Sequence, residues 1–318
     1  MERIQIISNH ILKETEKIIT GKGEEIKLLI LGILSNGHIL IDDIPGVGKT
    51  TLAKTLSLVL GCEFRRIQFV ADLMPGDVLG MNIFNQKTGQ FEVRQGPVHT
   101  NILLADEINR ATARTQSALL EAMEERQTTI DGKSYVLPRP FLVIATENPI
   151  ESENTFRLPI AQLDRFMLCV CLGYPDKQHE LRMLTDTGDS IDFSRVRAVT
   201  DAAEILKLQA QINNVHVSQG MLSYIVDLVR ATRETPEIML GASPRATKSL
   251  YKAAKTKAAM EGRDYVTPDD VQYAAVPVLR HRLLLRTPAR MAGQNSTDVL
   301  LDIVKNTEIR KDEKTLLY

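Results

Sequence analysis

The sequence predicts an α/β fold: an open, parallel sheet of about five strands with inserted β-hairpins, followed by an all-α segment. Three observations lead there. Short apolar runs, "HILI" (38–41), "FRRIQF" (64–69), "NILLA" (101–105), "FLVIA" (141–145) and "FMLCVCL" (166–172), are separated by helical stretches. Runs this short, apolar on both faces, mark parallel strands covered by helices on two sides. Two further stretches, "MNIFNQKTGQFEVR" (81–94) and "TTIDGKSYVL" (128–137), alternate about turn residues and interrupt that rhythm. Beyond "GYPDKQ" (173–178) only helical periodicity remains. With 318 residues there is room for two domains, and the change of character divides the chain into 1–175 and 176–318.

Taken in order, residues 1–36 read as two helices, with Ile4, Ile7, Ile11 and Ile18 and then Ile26, Leu29, Ile30 and Ile33 at helical spacing. After the first strand, "TTLAKTLSLVLG" puts Leu52, Leu56 and Val59 on one helical face and stops at Gly61. The first hairpin turns on Lys-Thr-Gly and the second on Asp-Gly, two residues that tolerate positive φ. In the second half, "SQGMLSYIVDLVRATRE" and "SPRATKSLYKAAKTKAAMEG" are amphipathic, the latter capped by Ser243, with Pro244 at its first position, and ended by Gly262. "VTPDDVQYAA" opens another helix with Thr267 as N-cap and Pro268 next. The charged end "IRKDEK" (309–314) is expected to be a solvated tail.

Composition narrows the class. Hydrophobic residues make up 43% and charged residues 25%, as in ordinary soluble proteins. A net charge of −1 and the absence of tryptophan argue against a nucleic-acid binder, which needs basic surplus and stacking platforms. Cys62, Cys169 and Cys171 are too few for a disulfide framework, and Cys169 and Cys171 are expected in the core on one strand face. No cysteine or histidine spacing suits zinc. The N-terminus lacks a signal-peptide pattern, and the longest apolar segment, Leu28–Leu34, is too short to span a membrane. The expectation is a cytoplasmic protein.

The chemistry begins at "LIDDIPGVGKTTLAKTL" (40–56). It matches the phosphate-binding loop G-x-x-x-x-G-K-[ST], except that Asp43 stands where the first glycine belongs. Pro45, Gly46, Val47, Gly48, Lys49, Thr50 and Thr51 would line the nucleotide: amides on the anion, Lys49 on the β- and γ-phosphates, and the Thr50 hydroxyl on Mg²⁺. Asp43 is expected to take the glycine's left-handed angle, which aspartate visits readily. In "NILLADEINRA" two carboxylates follow a buried strand, at the edge where such sheets bind ligands. Asp106 is assigned to the Mg²⁺ shell and Glu107 to polarising the attacking water; the plainer alternative is an acidic helix cap. "FLVIATENP" ends in Asn148, whose amide suits holding that water, unless it only builds an Asn-Pro turn. Arg245 sits in a first helical turn, where opposing the dipole costs about 0.3–1 kcal/mol. An anion is expected to offset that cost, and a γ-phosphate would. Lys248, Lys252 and Lys255 are expected on a solvated face. Arg110 is a candidate cation for a neighbouring subunit. Arg114 and Arg126 are further candidates for that role, but are expected rather to pair with Glu121, Glu124 or Glu125 on the helix surface.

Taken together, the loop, "LLADEINRATARTQSALLEAMEERQTTIDGK", "VIATENPIESE" and "LPIAQLDRF" resemble the MoxR family of AAA+ ATPases, relatives of the magnesium-chelatase ATPase subunit. The resemblance covers nearly the whole chain. It implies an AAA+ P-loop NTPase core with a helical lid, ATP and Mg²⁺ as cofactors, and a hexameric homo-oligomer. It implies that Asn148 is sensor 1, that Arg165 of "LDRF" is the arginine finger reaching a neighbour's ATP, and that Arg245 is sensor 2. The hairpins correspond to the helix-2 and pre-sensor-1 insertions facing the ring's pore. The implied work is chaperoning or remodelling of partner proteins, often ones with von Willebrand factor A domains, with no nucleic acid and no membrane span. Departures from the family pattern are Asp43 and Ile160, where glutamate is common. A nucleotide-gated switch with little turnover, or a nucleic-acid motor, are the alternatives.

Overall fold

A computed structural model describes residues 1–148, 156–174, 177–178, 180–181 and 191–309. The expected boundary near residue 175 and the tail from Arg310 onward lie outside the described residues.

The strands of the first half are β1 (Ile39–Asp42), β2 (Phe64–Gln68), β3 (Gly80–Asn85), β4 (Gln90–Gln95), β5 (Ile102–Asp106), β6 (Gln127–Ile130), β7 (Lys133–Val136), β8 (Leu142–Glu147) and β9 (Leu168–Val170). Five of them form one sheet in the order β2-β5-β8-β1-β9, all parallel. β3–β4 and β6–β7 are the two hairpins. The second turns at Asp131 and Gly132, with φ of 46° and 78°, as the Asp-Gly pair requires.

Side chains alternate across the sheet, and β1, β5, β8 and β9 are buried on both faces, whereas the edge strand β2 exposes Arg66. Ile39, Ile41, Leu104, Ile144 and Leu168 face one core, which they share with α1 (Glu2–Glu16), α2 (Gly23–Leu34) and α3 (Lys49–Val59). Leu40, Leu103, Val143, Ala145 and Cys169 face the other. That core is closed by Leu119, Leu120 and Met123 of α5 (Ala113–Glu125), while α4 (Pro75–Leu79) and α6 (Ile160–Leu163) are short. Double-sided burial is why these strands read as continuous apolar runs.

The second half is built from α7 (Ala202–Ile212), α8 (Gln219–Glu234), α9 (Pro244–Met260), α10 (Pro268–Leu279), α11 (Thr287–Met291) and α12 (Ser296–Asn306). Ser243 caps α9, accepting the N–H groups of Arg245 and Ala246, and Thr267 caps α10. Leu228, Leu250, Val271 and Leu300 join the first core, so this helical lid packs on α1 and α2.

Three expectations fail. The second half is not free of strands: β10 (Ile238–Leu240) pairs antiparallel with β11 (Leu284–Leu285), pieces too short to show periodicity. Cys171 is not core, because β9 ends at Val170 and leaves it exposed. Lys255 is buried, its Nζ donating to the Asn213 carbonyl (2.7 Å) and lying over the Tyr251 ring, whereas Lys248 and Lys252 are solvated.

Candidate functional site

Parallel strands deliver their carboxyl ends to one edge of the sheet. Register places Asp42 beside Glu147 and Gln68 beside Asp106. Asn148 follows Glu147 there, and the loop 43–48 follows β1. Gly46 and Gly48 hold φ of 83° and 82°, angles that tax any residue with a Cβ. A Cβ built at either would meet nothing within 4 Å, so the space beside both glycines is open. α3 starts at Lys49 and points its positive end, with Thr50 and Thr51, into that space. The Lys49 ammonium donates to the carbonyls of Asp43 and Glu147, the latter at 3.3 Å. Burial pulls its pKa below the usual range, and the nearby carboxylates of Asp43, Asp106, Asp42 and Glu107 offset part of that.

Asp43 corrects an expectation. It is not among the left-handed residues. Instead its carboxylate is buried and accepts N–H groups from Ile44 (2.8 Å), Gly173 (2.7 Å) and Leu172. It ties the loop to the chain leaving β9, so here aspartate serves through its side chain.

The two carboxylates take different partners. Asp106 Oδ1 accepts the Thr146 hydroxyl (2.7 Å), and Thr146 Oγ1 accepts the Glu107 N–H (2.8 Å). Arg66 donates to Asp106 Oδ2 at 2.7 and 3.1 Å. Glu107 turns into the left-handed region, φ 54°, and its Oε2 accepts from Gln68 (2.6 Å) and Arg110 (3.0 Å). Arg110 is thereby part of this edge. Asn148 is buried, and its carbonyl accepts from Asn109 (3.5 Å). Beside it, burial and the Asp42 charge push Glu147 up to about 7, against the opposing pull of Arg157. Sequence reasoning missed Arg66, Gln68 and Thr146, which only strand order makes neighbours of the acidic pair, and Glu147, which it sets beside Asp42.

Open space beside Gly46 and Gly48, the start of α3 and the Lys49 ammonium are features suited to phosphate, and the hard oxygens of Thr50 and Asp106 suit Mg²⁺. Thr50 and Asp106 would hold that ion, which supplies charge neutralisation between phosphate oxygens when bound.

Arg165 and Arg245 are elsewhere. Arg165 lies between α6 and β9, and the pocket around it is lined by Gly37 and His38, which precede β1, and Met167, which precedes β9. This is the opposite edge of the sheet, a strand length of roughly 13 Å from the loop. Both guanidiniums reach one carboxylate, Glu124, Arg165 at 3.2 Å and Arg245 more closely. The anion offsetting Arg245 is therefore Glu124, not a phosphate on the chain's own loop. Arg126, expected to pair with a glutamate, instead donates to the carbonyls of Phe141 and Asn36 (3.0 Å). Its left-handed backbone, φ 55°, turns it off the helix surface. Arg114 is exposed in the first turn of α5. The pocket, about 290 Å³, also takes in Asp164, Ser249 and Lys252.

A phosphate loop, a strand-borne acidic pair and a helical lid define a nucleotide-binding ATPase of the AAA class. Comparison with known proteins agrees: residues 38–168 match the ATPase family associated with various cellular activities (AAA), and residues 230–303 match the AAA lid domain. The chain is 42% identical to the Bacillus subtilis protein YeaC, described as uncharacterized, covering 94% of this chain and 93% of that one. It is 40% identical to chaperone MoxR1 of Mycobacterium tuberculosis, covering 92% and 80% respectively. A crystal structure of a Cytophaga hutchinsonii protein superposes with a TM-score of 0.90 at 38% identity, covering 98% of both chains. Magnesium-chelatase subunits are more distant, such as that of Acidiphilium rubrum at 29% identity over 58% of this chain and 53% of its own. The chain belongs to the MoxR family of AAA+ ATPases.

Proposed function

We propose that the chain hydrolyses ATP to remodel partner proteins, and that it does so as a hexameric ring in which Arg165 and Arg245 of one subunit complete the neighbour's site. The observation that carries this is the separation of the two halves: the phosphate cradle and acidic pair lie at one sheet edge, the two arginines at the other. One chain cannot bring them together, whereas head-to-tail packing around a ring can.

In the assembled site, the loop amides and Lys49 hold the β- and γ-phosphates, and Thr50 with Asp106 would hold Mg²⁺. Glu107 leaves Gln68 and Arg110 to take the proton of the attacking water, and Asn148 orients that water. The neighbour's guanidiniums offset charge building on the γ-phosphoryl oxygens, a contribution worth about 10³–10⁵ in rate where such fingers act. Support for a protein client comes from the first hairpin, one face of which exposes Phe84, Phe91 and Val93, an apolar surface suited to gripping unfolded or partly folded chains. The chaperone name of one relative points the same way, and von Willebrand factor A-domain proteins are the partners we propose.

Turnover per chain measured against protein concentration tests the assembly. A steep fall on dilution is expected; constant specific activity down to the monomer would refute it. Glu107→Gln is expected to retain ATP and lose hydrolysis, and normal turnover in that variant would remove the role given to Glu107.

A further inference from the structure

We infer that Arg282 is a positioning residue that fixes Arg165 and Arg245 in a single geometry for the neighbour's triphosphate; this rests on the role proposed for those two arginines. Arg282 is 2% exposed. Its Nε donates to Asp164 Oδ1 at 2.7 Å. Its Nη2 donates to the carbonyls of Asp164 (3.2 Å) and Phe166 (2.7 Å), the residues on either side of Arg165, and to Ser249 Oγ (3.3 Å) on α9. Nη1 donates to the carbonyls of Met167 (3.3 Å) and Val278. The other oxygen of Asp164 accepts the Ser243 hydroxyl (2.7 Å), and Ser243 Oγ in turn accepts the Arg245 N–H (3.1 Å). One buried guanidinium thus brackets the Arg165 backbone and, through Asp164 and Ser243, holds the start of the helix bearing Arg245.

Stability alone does not explain this arrangement. Buried ion pairs are often matched or exceeded by apolar residues of similar volume. A planar fork of five donors reaches segments 164–167, 249 and 278 at once, which an ammonium cannot do. Orientation does explain it, because a displacement of about 1 Å in a positioned group costs on the order of 10²-fold in rate. Arg282 touches no nucleotide in this scheme and acts only through the two arginines.

Mixed assemblies of full-length chains test it. Arg165→Ala chains keep an intact loop but lend no finger; Glu107→Gln chains have a silent site but lend both arginines. Hydrolysis recovered on mixing reports lending. Arg282→Lys in the lending chain is expected to lower recovered kcat at least about tenfold, with KM for ATP within about twofold of its parent. In the recipient chain it is expected to change neither. Equal losses in both placements, or none in either, would overturn the inference while leaving lending intact. No recovery in the parent mixture would overturn lending, and this inference with it. If Arg282→Lys melts well below its parent, Ser243→Ala replaces it: a loss of about threefold in the lender only, rescued by Ser243→Thr, is expected, and no loss overturns the inference.

Discussion

Asp43→Gly restores the residue usual at the first position of a phosphate loop, and the structure says that it should harm the fold. Asp43 is not held at a left-handed angle, so glycine relieves no strain, while its extra freedom in the unfolded chain costs about 0.5–1 kcal/mol. The Asp43 carboxylate also accepts three backbone N–H groups. The one on Leu172 is buried, and leaving such a donor unmatched costs about 1–3 kcal/mol. Those of Ile44 and Gly173 are part-buried and can turn to water. Together these amount to a destabilisation of about 1.5–4 kcal/mol, reduced in the net by release of a buried carboxylate from its desolvation. It is read as a lower urea midpoint at unchanged m-value. ATP affinity should stay within about threefold, because Gly46, Gly48 and Lys49 are untouched. A variant as stable as the parent, or more so, would refute the role of the carboxylate as a clamp.

Three further outcomes are expected. Glu147 is held at about 7 against 4.5 for the free group, so the unfolded chain gives up its proton first as pH rises. Stability is untouched below about 4.5 and falls by up to ~3 kcal/mol as pH climbs to about 7; urea midpoints across that range should show the slope, and Glu147→Gln should abolish it. Glu124→Gln removes the carboxylate shared by Arg165 and Arg245, freeing both for a neighbour's phosphate. The protein concentration giving half-maximal turnover should fall by about threefold, and a rise would count against that competition. Arg126→Ala strands the carbonyls of Phe141 and Asn36, and a thermal scan should report about 1–3 kcal/mol lost.

Much of this fold was legible because its signals are local. Both-face apolar runs gave the strands, the Asp131–Gly132 turn gave a hairpin, and Ser243 and Thr267 gave helix starts. The turn from β1 into α3 was legible for the same reason: Gly46, Gly48, Lys49 and Thr50 form one short word. What stayed hidden depends on which distant segments meet. Gln68 and Arg66 sit in an ordinary strand until β2 is placed beside β5, where they reach Glu107 and Asp106. Asp43 looked like a backbone substitute because Leu172 and Gly173, its partners, lie far along the chain. Arg126 looked paired with a helix glutamate, and Lys255 looked solvated, because helical spacing alone cannot reveal a carbonyl arriving from another element. The siting of Arg165 and Arg245 at the far edge follows from strand direction, and no motif spells it.

The most direct measurement is ATP hydrolysis in an equal mixture of Arg165→Ala and Glu107→Gln chains, set against each variant alone. Each should be nearly inert by itself, while random co-assembly places a lending neighbour beside an intact site at about a quarter of the junctions, so about a quarter of the parent rate should return. Full activity of Arg165→Ala alone, or a mixture no faster than its parts, would contradict a site shared between subunits.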